Sequence, residues 1–286
     1  MKSERGLVHL LVAVEVLILI AVVVFGVVKR VSEPEKQTQI TVSTQENRIE
    51  EVQEATESET EETEEEAVIV FSEEIEEMLA AMSTEEKVAQ LFMVSPEALT
   101  GIDRVNVAGQ GTRAALEQYP IGGMLYTKQN YMGRVQMRDL LTGAQAMSNE
   151  VSGRYLFAGT QVAIGEEMLI VSAPVGQEDL MVELLALETA VTEENISGME
   201  RIYYVQDAGM LSVERTEESL YCYHVANGGQ TAVDALNQGA DMLCVTDGFS
   251  SVYEKVLEAV NAGEVSENVL KQAVGRILVR KQALSQ

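Results

Sequence analysis

Cysteine and histidine are nearly missing from this chain of 286 residues, which has two of each. Two cysteines, Cys222 and Cys244, cannot make the disulfide framework that staples small exported domains. Without His, Cys, Asp and Glu clustered at ligand spacing, the sequence calls for no metal, and nothing in it calls for a cofactor. Positive charge is scarce as well: 20 Lys and Arg stand against 46 Asp and Glu, for a net charge of -26 and a pI near 4.4. Such a chain has no basic face for phosphate backbones, which excludes nucleic acid as a partner. The acid is unevenly spread, and much of it lies before Phe71, so it describes a tether more than a fold.

What the chain has in plenty at its start is apolar length. "LVHLLVAVEVLILIAVVVFGVV", Leu7 to Val28, is interrupted only by His9 and Glu15 and is long enough to cross about 30 Å of hydrocarbon as a helix. Glu15 would cost roughly 3 kcal/mol at mid-helix, which the many Leu, Ile and Val residues outweigh. A cleaved signal peptide would need a small-residue site after Val28, where the sequence has "KRVSEPE". Residues 1–30 therefore read as an uncleaved, single-pass membrane anchor. Lys2 and Arg5 on one side are balanced by Lys29, Arg30 and Lys36 on the other, so charge does not set its orientation. Residues 31–70, rich in Glu, Thr, Ser and Gln, bury too little apolar area to offset about 1 to 2 kcal/mol of backbone entropy per residue. They read as a disordered acidic linker, with an acidic interaction tail as the other use of such a run.

From Phe71 to residue 286 the periodicities are those of a globular domain. Ile75, Met78, Leu79 and Met82 fall at helical spacing, and "STEEK" sets Ser83 as N-cap with Glu86 at the capping-box position. Short apolar runs follow: "QLFMV", "GGMLY", "YLFAG", "EMLIVSAP", "RIYYV" and "ADMLCV". They alternate with helical patterns in "MGRVQMRDLLTGAQAMSNE", "TAVDALNQG" and "SSVYEKVLEAVNAG". This alternation predicts βαβ units with a parallel sheet buried on both faces. In such α/β folds chemistry gathers at the C-terminal strand ends. Lys128, Gln129 and Asn130, behind "GGMLY", stand at one such end. They are either ligand contacts or a solvated loop that caps the sheet.

Three segments carry a resemblance. "MSTEEKVAQLFMV" (Met82 to Val94), "YPIGGMLYTKQN" (Tyr119 to Asn130) and the stretch from Gly239 to Lys281 resemble, in order, the opening, second strand and closing segment of the glycoside hydrolase family 3 catalytic domain, in its β-N-acetylhexosaminidase branch. The resemblance implies a (β/α)8 TIM-barrel-like fold, and retaining hydrolysis of β-linked N-acetylglucosamine in carbohydrate or peptidoglycan fragments. It also implies a domain outside the cytoplasm. The family's nucleophile segment is similar to "YYVQDAGM", which puts Asp207 in the nucleophile's place; Asp247 is its nearest rival by position. A carboxylate at a strand end can form a glycosyl ester with a sugar in the barrel mouth, although Asp before Gly209 is also an ordinary turn residue.

The departures from the family are large. Its third strand enters a D-x-E-G-G segment whose Asp holds substrate hydroxyls; "LFAGTQVAIG" has Gln161 there, with Ala163 at the Glu. Gln161 joins Lys128, Gln129 and Asn130 as the candidate sugar-binding set. The K-H-x-P-G-x-G stretch and the acid/base loop that follow in the family are missing. The domain is also short for a barrel of this type, which runs about 250 residues or more, so the barrel is expected to be incomplete by about two βα units. His224, in the Tyr-flanked stretch "YCYHVANGG", reads as a loop residue, either a packing residue or a recruited acid. Cys222 and Cys244 are either buried thiols or, if they meet, a disulfide. An anchored glycosidase, a catalytically degenerate sugar-binding or scaffolding module, and an unrelated doubly wound domain all remain open.

Overall fold

Serine side chains start the first two helices. Ser72 Oγ accepts from the Ile75 amide at 3.4 Å and opens α1 (Glu73–Ala81). Ser83 and Glu86 form the predicted capping box of α2 (Thr84–Gln90), with bonds of 3.2 and 2.9 Å. The computed structural model describes residues 69–207, 219–226 and 228–285. The predicted membrane span and nearly all of the acidic linker lie outside the described residues. No helix among the described residues is long and apolar enough to cross a membrane.

The sheet is a closed barrel of seven strands: β1 (Phe92–Val94), β2 (Gly123–Leu125), β3 (Phe157–Ile164), β4 (Glu167–Ser172), β5 (Glu200–Val205), β6 (Leu220–His224) and β7 (Met242–Val245). Closure comes from β1, which pairs in parallel with both β2 and β7. Between the strands run α3 (Pro96–Thr100), α4 (Gln110–Gln118), α5 (Arg134–Ser152), α6 (Glu178–Ala186), α7 (Gly229–Asn237), α8 (Phe249–Ala262) and the last helix, α9 (Glu267–Leu284).

Three expectations are corrected. The strands are not all parallel, because β4 runs antiparallel to both β3 and β5, and the barrel expected to be incomplete by about two βα units is closed, with seven strands. Only Gly165 and Glu166 separate β3 from β4, and Gly165, at φ 61°, takes the turn that a two-residue hairpin demands. A parallel return would need a crossover of a dozen residues or more. Second, burial on both faces holds for β1, β2 and β7 but not for β5, where Arg201 and Tyr203 are exposed, nor for the far end of β3. On the outer face Tyr203 stacks on Tyr221, with ring centroids 5.2 Å apart and planes 18° from parallel. Third, "LYCYH" is a strand rather than a loop. Leu220 and Cys222 are buried and Tyr221 and Tyr223 less so, a period-two pattern disguised by the polar residues behind it.

The barrel has a filled interior. Met93 takes the space that a Cβ at Gly123 would need, 2.7 Å from its thioether, and it also crowds Gly159 at 3.4 Å. Two glycines on neighbouring strands therefore make room for one long flexible side chain. Below it, Lys281 of α9 is buried, donates to Gln90 Oε1 at 2.7 Å and lies 5.3 Å from the centre of the Phe157 ring. The chain meets α9 a second time at the start of the domain. Gln272 bonds both backbone groups of Ile69, at 3.2 and 3.1 Å, and the Phe71 ring lies where a Cβ at Gly275 would be.

Candidate binding site at the barrel mouth

Six strands share a direction, so their C-terminal ends open on one face. Ser95 follows β1, caps α3 by accepting from the Ala98 amide at 3.2 Å, and donates to the Thr246 carbonyl behind β7 at 3.3 Å. The cap sets Glu97 in the first turn of α3. Its Oε1 accepts from the Val105 amide at 2.8 Å and from Asn130 Nδ2 at 2.7 Å, while its Oε2 is buried with no partner among the described residues. Tyr126, fully buried at the end of β2, donates to Met124 Sδ at 3.3 Å. Burial and the Glu97 charge raise its phenol pKa well above the ordinary value.

The four candidate sugar contacts occupy different environments. Asn130 is fully buried and its amide is committed: Oδ1 accepts from the Thr127 amide at 2.8 Å, and Nδ2 donates to Glu97 and to the Val105 carbonyl at 2.8 Å. It ties the loop after β1 to the loop after β2. Gln129 has an exposed side chain, and its carbonyl accepts from Arg104 Nε at 2.8 Å. Lys128 reaches across to the Leu187 carbonyl and stands 3.9 Å from the Glu188 carboxylate. Gln161 is exposed on β3 directly opposite Ile170, two residues beyond Gly159 on the inward face. The structure thus brings Lys128 and Gln161 to the same end of the barrel and spends Asn130 on the scaffold.

Asp207 is exposed two residues past the end of β5; Gly209, its partner in the alternative turn reading, lies outside the described residues. An unforeseen strand, β6, separates its strand from β7. Asp247, the rival, accepts from the Gly248 amide at 2.8 Å. His224 ends β6 with its ring 5.6 Å from that of Tyr204, and its buried Nδ1 has no partner among the described residues. Beside it, Cys222 and Cys244 are free and buried. The neighbouring Cys222 and His224 side chains draw the Cys244 pKa down to about 6 against the effect of burial. Burial pushes the Cys222 thiol up, and the neighbouring Cys244 raises His224. Among the described residues no group of three or more His, Cys, Asp or Glu side chains could hold a metal ion.

No family model matches the chain, and no curated protein matches it. Solved structures similar to it include two glycoside hydrolase family 3 β-N-acetylglucosaminidases and an exo-glucanase. A β-N-acetylglucosaminidase of that family from Paenibacillus sp. str. FPU-7 is 14% identical, with a TM-score of 0.45 over 71% of this chain and 62% of its own. A fungal multi-domain family 3 β-N-acetylglucosaminidase is 9% identical, with a TM-score of 0.46 over 71% and 40%. An exo-1,3/1,4-β-glucanase from a Pseudoalteromonas species is 11% identical, with a TM-score of 0.48 over 76% and 56%. The chain spans less than two thirds of the length of each.

Sequence reasoning missed Glu97 and the Cys–His contact. The only signal for Glu97 is that Ser95-Pro96 after an apolar run reads as a helix start, which promises an acid in the first turn. The Cys–His contact becomes visible once "LYCYH" is recognised as a strand beside "MLCV".

Proposed function

We propose that the domain is a shortened, family 3-like barrel that binds fragments containing β-linked N-acetylglucosamine at its mouth without cleaving them. On this reading residues 1–30 anchor it in the cell membrane and the barrel faces outward. The hairpin carries the reading. Where the resemblance expects the chain to leave the third strand for an acid/base loop, it turns back on itself in two residues, Gly165 and Glu166. Loss of a proton donor to the leaving oxygen costs about 10² to 10⁴ in rate. Asp207 and Gln161 remain suited to sugar hydroxyls, one as a carboxylate acceptor and the other as a neutral donor and acceptor.

The test uses the full-length chain with a chromogenic β-N-acetylglucosaminide and, in parallel, calorimetry against N-acetylglucosamine oligomers and wall fragments. We expect no turnover, and binding that Asp207→Ala weakens by about 0.5 to 3 kcal/mol, the worth of one or two hydrogen bonds. Hydrolysis by the natural chain that vanishes in Asp207→Ala but survives in His224→Ala would overturn the non-catalytic reading. Absence of both turnover and binding would remove the sugar altogether. Protease added to intact cells should release the barrel; cutting only after lysis would reverse the orientation.

A further inference from the structure

At the tip of the β3–β4 hairpin the usual order of burial is reversed. Gly159 packs on Met93 inside the barrel, so Gln161 and Ala163 face inward as well. Ala163 pairs with Met168, and residues paired across a sheet share a face. These three inward residues are exposed, Met168 to 36%, whereas Val162 and Leu169, paired on the outer face, are buried. Leu169 also pairs with the outward Tyr203, which sets Tyr204 beside Met168 on the inside. Tyr204 in turn pairs with Cys222, two residues before His224, and the Tyr204 and His224 rings lie 5.6 Å apart, tilted by 43°. Gln161, Met168, Tyr204 and His224 thus form an inward arc over four neighbouring strands at the mouth. The arc offers water an apolar thioether and the edge of an aromatic pair, flanked by a free-standing amide and by a ring nitrogen, His224 Nδ1, that has no partner among the described residues.

We propose that this arc reads the acetamido group of the sugar and so selects N-acetylglucosamine over glucose, an inference that rests on the reading of the mouth as a sugar site. The acetyl methyl packs on the Met168 thioether and the Tyr204 ring, both polarisable apolar surfaces. The Gln161 amide donates to the acetamido carbonyl, and His224 Nδ1 accepts from the acetamido N–H, which gives the unpaired nitrogen its partner. His224 is the last residue of β6 and is part-exposed, so a small turn of its ring presents Nδ1 to the mouth. Glucose has a hydroxyl at that position, too short to reach the thioether and the two polar groups together. Met168 and His224 lie outside every segment that carries the family resemblance. The selection therefore belongs to this chain's own hairpin and to its unforeseen strand.

Calorimetry on the full-length chain compares β-linked oligomers of N-acetylglucosamine and of glucose at equal length. The natural chain should bind the acetylated oligomer about 10- to 200-fold more tightly, the discrimination that one small apolar group in a pocket commands. Met168→Ala, and His224→Phe, which keeps a ring against Tyr204, should each weaken the acetylated oligomer on the order of tenfold and leave the glucose oligomer unchanged. Asp207→Ala should weaken both alike, because the hydroxyls it meets are common to the two sugars. Met168 is exposed, so its variant carries the test if His224→Phe fails to fold. Equal binding of the two sugars by the natural chain, or variants that keep its preference, would overturn the selection and leave the sugar site standing. Binding of neither sugar would remove the site and the selection together.

Discussion

Arg280 holds both oxygens of the Glu200 carboxylate, at 2.7 and 2.6 Å, and so binds the last helix to the first residue of β5. One turn earlier Arg276 pairs with the buried Asp241, just before β7. Two arginines on one face of α9 thus fasten two barrel strands at the end opposite the mouth, the end that serves stability rather than chemistry. Glu200 is nearly buried, so removing its partner leaves an uncompensated charge. Arg280→Ala should cost about 3 kcal/mol or more, whereas Lys271→Ala, at the half-exposed pair with Glu76, should cost less than about 1 kcal/mol. Urea denaturation of both variants checks the contrast, and equal costs would sink it.

Lys281 should make stability rise with alkaline pH. Burial, with Arg154 nearby, holds its ammonium pKa well below the ordinary 10.5. The unfolded chain therefore keeps this proton at pH values where the folded chain has released it. Stability from this group increases as pH climbs from the folded pKa toward 10.5 and is constant outside that window. Lys281→Met should raise stability at neutral pH and remove that part of the slope. Parallel stability curves for the two proteins from neutral pH to about 10 would refute the assignment.

Met93 and Gly123 give a packing test. A methyl at Gly123 would meet the Met93 thioether at 2.7 Å and Phe157 Cβ at 2.9 Å. Gly123→Ala should destabilise by about 1 to 3 kcal/mol through overpacking, and Gly123→Ala with Met93→Val should recover part of the loss. Thermal melts of the single and double variants read this directly; additive losses would contradict it.

Asn130 should behave as scaffold. Asn130→Ala strips partners from the Glu97 carboxylate and the Val105 carbonyl, at about 1 to 3 kcal/mol for buried groups left unpaired. Its melting temperature should fall while Gln161→Ala leaves stability unchanged. A stable Asn130→Ala protein with weakened sugar binding would return this residue to the site.

The legible parts of the fold are those governed by one rule at a time. β1, β2 and β7 are short apolar runs covered on both faces, and α5 and α8 carry long helical periodicities, so pattern alone finds them. Strand direction is a different kind of property. "EMLIVS" reads the same whether parallel or antiparallel, and only the two residues left between Ile164 and Glu167 reverse it. At the mouth, Asn130 and Lys128 are equally polar in sequence, yet burial separates them, and burial depends on Glu97 arriving from another loop. Lys281 resembles any cation in the last turn of a helix, until tertiary packing sets it under Phe157.

The grip of Gln272 on Ile69 defines how the domain would carry tension. Residues 203 positions apart in sequence are joined by two hydrogen bonds, and Phe71 is seated on Gly275 directly behind them. A pull on the chain ahead of Ile69 is therefore taken up by α9 and, through Arg280 and Arg276, shared between β5 and β7 before β1 feels it. The load path enters the barrel through its last helix, so the first structure to yield under force would be the C-terminal one.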